Sequence, residues 1–203
     1  MNRRLWVAIG LAAVAASPAL ARGGFRGGGG SPQHKPPWGE VVDPVKAAQI
    51  ALREVCLPAV LDARPIEPFA KANRFVRTPP KTVQAARDDK VWQVGVHAKV
   101  YVVARADGSC SALVDSGPAD LLGPMAEATI LERREGIARG QSGPDDAGHL
   151  RRTVYCSAAG DTHVLISVAT PSAGAPRGTR PFAATISRTP TLSPLCAVGR
   201  PSV

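Results

Sequence analysis

Four cysteines, Cys56, Cys110, Cys156 and Cys196, all follow a segment that reads as an export leader, and the two features together narrow the folds open to this chain. Asn2, Arg3 and Arg4 form a charged start, Leu5 to Ala16 an apolar run, and Ser17-Pro18-Ala19-Leu20-Ala21 an ending of the Ala-x-Ala type. Residues 1–21 are therefore expected to be a signal peptide cut after Ala21. Thiols delivered to such a compartment tend to be oxidised, so two disulfides are expected to staple the mature domain. The apolar run is about 12 residues long, short of the roughly 20 that cross a bilayer as a helix, and no later segment reaches that length. A lipoprotein would carry a cysteine directly after the cut, where Arg22 stands. The expected product has no membrane span and no lipid anchor, and is soluble in the periplasm or secreted.

Residues 22–42, rich in Gly and Pro, read as a flexible linker with a root-mean-square span of roughly 25 Å. A single domain is expected over 43–188. Asp43-Pro44 suits a helix N-cap and first helical position, and Val45, Ala48, Leu52, Val55, Cys56 and Ala59 follow at helical spacing until Pro58 ends or kinks the helix. A short helix is expected from Pro68, with Phe69, Ala72 and Phe75 or Val76 inward, stopped by Pro79-Pro80. Residues 79–90 read as a loop. Val91–Val96, Lys99–Arg105 and Cys110–Asp115 read as strands, the last two joined by an Asp107-Gly108 turn.

A helical stretch follows from Gly117 through Leu131, with Gly123-Pro124 making two pieces as plausible as one, and Gly136 marks its end. After a polar loop from Gly140 to Gly148, the segments Leu150–Ser157, His163–Thr170 and Pro181–Arg188 suggest a three-strand meander in which Val164, Ile166 and Val168 form an apolar face. Residues 189–203 are expected to be an extended tail. The order of elements implies an α+β fold: an antiparallel sheet of about five to six strands with helices on one face and two disulfides. A helix-then-hairpin order occurs twice, yet no residue pattern repeats.

The segments Arg53-Glu54-Val55-Cys56-Leu57-Pro58, Pro68-Phe69-Ala70-Lys71-Ala72, the Trp92 strand and Asp107-Gly108-Ser109-Cys110, taken with the leader, resemble a group of small exported bacterial proteins of uncharacterised function. The resemblance spans roughly residues 45–170. It implies export and a cysteine pair joining helix to hairpin, and it supplies no catalytic or binding residues. Four cysteines allow three pairings, and the sequence alone selects none. With the first helix lying on the hairpin, Cys56 would meet Cys110 and leave Cys156 for Cys196, closing loops of 40 to 54 residues. The chain-entropy argument assigns roughly 4 kcal/mol to each such loop. A zinc site is the alternative use of these cysteines, but no C-x-x-C or close Cys/His spacing accompanies them.

Removal of Arg3 and Arg4 with the leader takes the net charge from +9 to +7, and residues 151–203 carry six positive charges against one negative. Arg151, Arg152, Arg177, Arg180 and Arg188 are therefore candidate contacts for an anionic partner. The plainer explanation is compositional, since arginine outnumbers lysine 19 to 6 beside abundant Ala, Gly and Pro. Nucleic acid is a poor partner for an exported chain that has no aromatics interleaved with its basic residues.

Ser109, Ser111 and Ser116 lie near Asp107 and Asp115 in sequence, and His97 and His163 fall near strands, but no G-x-S-x-G elbow is present. Glu127, Glu132 and Glu135 alternate with Arg133 and Arg134 and read as a solvated helix face with intrahelical pairs. Asp145-Asp146 lacks the spacing of a calcium loop. No cofactor is expected. The composition favours a non-catalytic binding domain for a protein or anionic envelope component. The alternatives are a small hydrolase built on His97, His163 and Asp115, or a hydrolase inhibitor presenting residues 171–180.

Overall fold

Asp43 opens the first helix as its sequence predicts: the carboxylate accepts the Val45 amide at 2.9 Å, and Pro44 takes the first helical position, where an N–H would have no intrahelical partner. The computed structural model describes residues 38–133, 136–159 and 162–196. Residues 1–37, which hold the expected leader and most of the expected linker, and residues 197–203 of the expected tail lie outside the described residues.

Helix α1 (Pro44–Ile50) continues through a π-helical stretch, Ala51–Cys56, into α2 (Leu57–Leu61). Pro58 neither ends nor breaks this run. The Leu57 amide reaches back five residues to Leu52, and this wider turn just ahead of Pro58 re-routes the bonding around its missing N–H. Helix α3 (Ile66–Ala72) starts two residues before Pro68. It ends where the Asn73 amide side chain bonds back to the Phe69 carbonyl at 2.9 Å, so Phe75 is buried from a loop and not from the helix.

Trp38 and Gly39, expected in the linker, belong to the domain. The Trp38 ring packs on Phe69 with centroids 5.4 Å apart, and the Gly39 amide bonds to the Asn73 carbonyl at 3.0 Å. Any Cβ at Gly39 would collide with the Arg74 carbonyl.

Eight antiparallel strands form one sheet: β1 (Val76–Thr78), β2 (Lys90–Val94), β3 (Val100–Ala104), β4 (Cys110–Val114), β5 (Ala138–Pro144), β6 (Leu150–Ala159), β7 (Thr162–Pro171) and β8 (Phe182–Thr189). Their order is β1-β2-β3-β4-β8-β7-β6-β5. The two strands beyond the expected five to six are the two edges. Val76-Arg77-Thr78 is too short to show a period, and Ala-Arg-Gly-Gln-Ser-Gly-Pro in β5 is mostly exposed, so no buried face selects its side chains. Backbone pairing to β6, with a register shift between Arg139 and Ser142, defines β5 instead.

Helix α4 (Ala119–Arg133) is one helix through Gly123-Pro124. Pro124 is exposed, so the carbonyl it leaves without a donor faces the solvent side, while Leu122, Ala126, Thr129 and Ile130 keep a continuous buried stripe. Helices α1, α2 and α4 pack on one face of the sheet, where Tyr155, Ile166, Ile186 and Cys110 form a cross-strand row. Val164, Ile166 and Val168 are on that buried face, as their alternation predicts. On the opposite face Val91, Tyr101, Val103 and Leu113 make a second cluster with Val83, which comes from a 3-10 turn (Pro80–Val83) within the expected loop.

The sheet consists of two four-strand meanders, each preceded by helix, joined by pairing of β4 with β8. The duplication is one of topology, with no matching residue pattern.

Candidate functional site

Cys56, on the π-helical stretch, is bonded to Cys110 at the start of β4, with Cα atoms 5.2 Å apart; Cys156 on β6 is bonded to Cys196 in the tail turn, Cα atoms 5.8 Å apart. This is the helix-to-hairpin pairing, and it removes all four thiols from metal coordination. Among the described residues no group of three or more His, Cys, Asp or Glu converges, and no helix is long and apolar enough to cross a membrane.

The hydrolase candidates are dispersed. His97 is exposed in the β2–β3 turn, and the neighbouring Asp115 is taken by Arg180, whose Nε donates to its carboxylate at 2.7 Å. The Leu113–Ala183 row continues to Ala169 on β7, six residues from His163, a separation of roughly 20 Å at about 3.3 Å per residue. Ser111 is fully buried and shares a hydrogen bond of 2.8 Å with Thr185. The Ser109 amide donates to Asp107 at 2.8 Å, and the Ser109 hydroxyl and amide hold the Asp107 carboxyl below the usual carboxylate range. These contacts brace the Asp-Gly turn, in which Gly108 has φ +81°.

Among the described residues the α4 charges pair between elements and not within the helix. Glu127 meets Arg139 at 3.4 Å, Glu132 meets Arg53 at 3.6 Å, and Arg133 meets Asp62 at 3.1 Å. Arg134 and Glu135 lie outside the described residues. Burial pushes the Tyr155 hydroxyl up to about 12, with the Glu127 charge adding to the shift. Asp145 uses its carboxylate as a loop brace: the Leu150 and His149 amides donate to it at 3.1 and 2.8 Å and lower its pKa.

The candidate anion contacts divide into two kinds. Arg180 is held by Asp115, and Arg188 donates to the Val60 and Leu61 carbonyls at 2.7 and 3.2 Å, closing the C-terminal end of α2. Arg151, Arg152 and Arg177 are exposed, and their side chains have no ion-pair or hydrogen-bond partner among the described residues. Arg151 and Arg152 are consecutive on β6 and so project to opposite faces of the sheet. Arg177 sits at the tip of the β7–β8 connection, in a turn closed by the Thr179 amide on the Pro176 carbonyl at 3.1 Å, with Gly178 at φ +86°.

Two cavities accompany these groups. One, of about 330 Å³, lies between β5–β6 and the tail turn and is polar, with Arg152, Asp146, Gln141 and Leu195 in its wall. The other, of about 320 Å³, lies between the α2–α3 connection and the β3–β4 hairpin, with Trp92 and Cys110 beside Arg64 and Arg105. Sequence reasoning missed the second. Arg64 and Arg105 are 41 positions apart in the chain, and only the packing of the helices on the sheet brings their segments together. No family model, curated protein or solved structure matches this chain.

Proposed function

We propose that this protein is an exported, non-catalytic binding domain whose partner is an anionic envelope polymer or an acidic protein segment. The observation that carries this reading is the set of unpaired arginines: the Arg151, Arg152 and Arg177 side chains stand exposed without ion-pair partners among the described residues, within residues 151–203, which carry six positive charges and one negative. Exposed like charges raise the local potential and attract anions over a screening length. The opposite projection of Arg151 and Arg152 favours a flexible chain that wraps the β5–β6 edge over a flat surface, which meets one face only. Dispersal of His97, His163 and Asp115 supports the absence of triad chemistry. The tight turn at Arg177 argues against an inhibitor loop, which presents an extended backbone to a hydrolase cleft.

Binding to an acidic polymer, measured at about 0.05 and 0.2 M salt, should weaken steeply as the screening length falls from roughly 14 to 7 Å. The variant combining Arg151→Ser, Arg152→Ser and Arg177→Ser should lose low-salt binding and keep its thermal melt. Binding that ignores salt, or none at low salt, would refute the proposal.

A further inference from the structure

We propose that the cavity between the α2–α3 connection and the β3–β4 hairpin binds a small carboxylate with a flat apolar body. This site is separate from the β6 arginines and does not depend on how they are used.

The walls and the rim differ in chemistry. Ala59, Ile66, Trp92 and Ala104 provide apolar surface, and the half-cystine Cys110 closes one side. Trp92 is only 5% exposed and is fixed from outside the cavity by Arg77, whose guanidinium lies 4.6 Å from the ring centroid. The aromatic wall is therefore preformed. Around it stand Arg64, Arg105, Lys90 and Glu67. Lys90 and Glu67 satisfy each other at 3.1 Å. The Arg64 guanidinium has no partner among the described residues, and the Arg105 guanidinium makes one long hydrogen bond of 3.4 Å to the Ser109 hydroxyl. The acid nearest Arg105 in the turn, Asp107, accepts from the Ser109 amide and interacts with the Arg105 charge through space without a hydrogen bond to it. The cavity thus keeps two guanidinium groups, each with planar donors free, beside an apolar floor.

A guanidinium at such a mouth pairs best with a planar, bidentate carboxylate. The apolar floor then selects the rest of the ligand. A bare phosphate would lie against alkyl and ring carbon with oxygens unpaired, and a cation would meet like charge. The volume is at the small end of the roughly 300–1,000 Å³ typical of ligand sites, which fits one fused ring or a branched acyl group and excludes a lipid chain. Both walls are held by the Cys56–Cys110 bond, which ties the helical layer to the hairpin.

Naphthalene-2-carboxylate is the probe, added to the oxidised, leader-free chain and followed by amide and indole NMR shifts. The expected result is saturable shifts of the Trp92 indole and the Gly108 and Ser109 amides, with a Kd on the order of 1 mM or tighter. The neutral naphthalene-2-carboxamide should bind roughly ten-fold more weakly, and Arg64→Ala or Arg105→Ala should each weaken the carboxylate by a comparable factor. Ala104→Leu, which fills the cavity, should remove the shifts while both disulfides and the melting temperature are retained. Acidic-polymer binding should persist in the Arg64→Ala variant. The proposal is overturned by the absence of saturable shifts, by equal binding of acid and amide, by undiminished binding in both arginine variants, or by shifts centred on Arg152.

Discussion

The two meanders share a topology and differ in how they are covered. Strands β2–β4 are buried on both faces, with nearly every residue of Val100–Ala104 and Cys110–Val114 enclosed, because helices cover one side and the Val83 turn the other. Strands β7 and β8 alternate between buried and partly exposed positions, and the face away from the helices carries Ser167, Ala169, Ala183, Thr185 and Ser187. Their disulfides differ in the same way. Cys56 and Cys110 are 0% and 1% exposed and join helix to sheet inside the core, whereas Cys156–Cys196 fastens a tail turn to the sheet near its edge. One half is thus locked through its centre, and the other is open on one face and clasped at its rim.

The largest test of this contrast is removal of each bridge. Replacing Cys56 and Cys110 by Ala should cost about 4 kcal/mol, a fall in Tm of roughly 8–16 °C. Replacing Cys156 and Cys196 should cost less than half as much, about 2 kcal/mol or below, because the released tail can detach and recover the entropy that the bridge had removed. Chemical denaturation of the two double variants decides the matter, and equal losses would break the comparison.

A smaller effect separates the two faces themselves. Leu113→Ala, at a site 7% exposed beneath the Val83 turn, should cost about 3 kcal/mol, while Leu165→Ala on the open face of β7 should cost about 1 kcal/mol or less. Similar values would mean that the open face is covered. Smallest of all, Arg188→Ser should cost about 1 kcal/mol through loss of its bonds to the α2 carbonyls. Arg151→Ser should stay within about 0.5 kcal/mol. A set of serine variants that includes Arg188 therefore tests stability together with binding, which is why the binding test above leaves it unchanged.

Local rules were legible where a residue acts on its immediate neighbours. Asp43-Pro44 starts a helix because the side chain and ring satisfy or remove end-group donors, and Asp107-Gly108 turns the hairpin because glycine tolerates the positive φ required there. The interior strands were legible for the same reason, as Val-rich runs or clean alternation. Edge strands β1 and β5 were not, since little of their side-chain surface is buried and their pairing is a property of the neighbouring strand. Pro58 misled, and Gly123-Pro124 left one helix or two open, because a single proline weighs against a helix locally while the packing of a long buried stripe outweighs it.

The candidate site followed the same division. The sequence by itself determined which groups carry charge, where chain reversals fall, which strand positions are apolar, and that four cysteines stand ready to cross-link. Each depends on the chemistry of one residue or on a short period. Only the tertiary structure decided which arginines remain free, with Asp115 taking Arg180 and the α2 carbonyls taking Arg188. It also set His163 far from Asp115 and brought Arg64 to the same cavity as Arg105 and Trp92. Those outcomes depend on sheet register and on helix-to-sheet packing between segments distant in sequence, which no short-range pattern encodes.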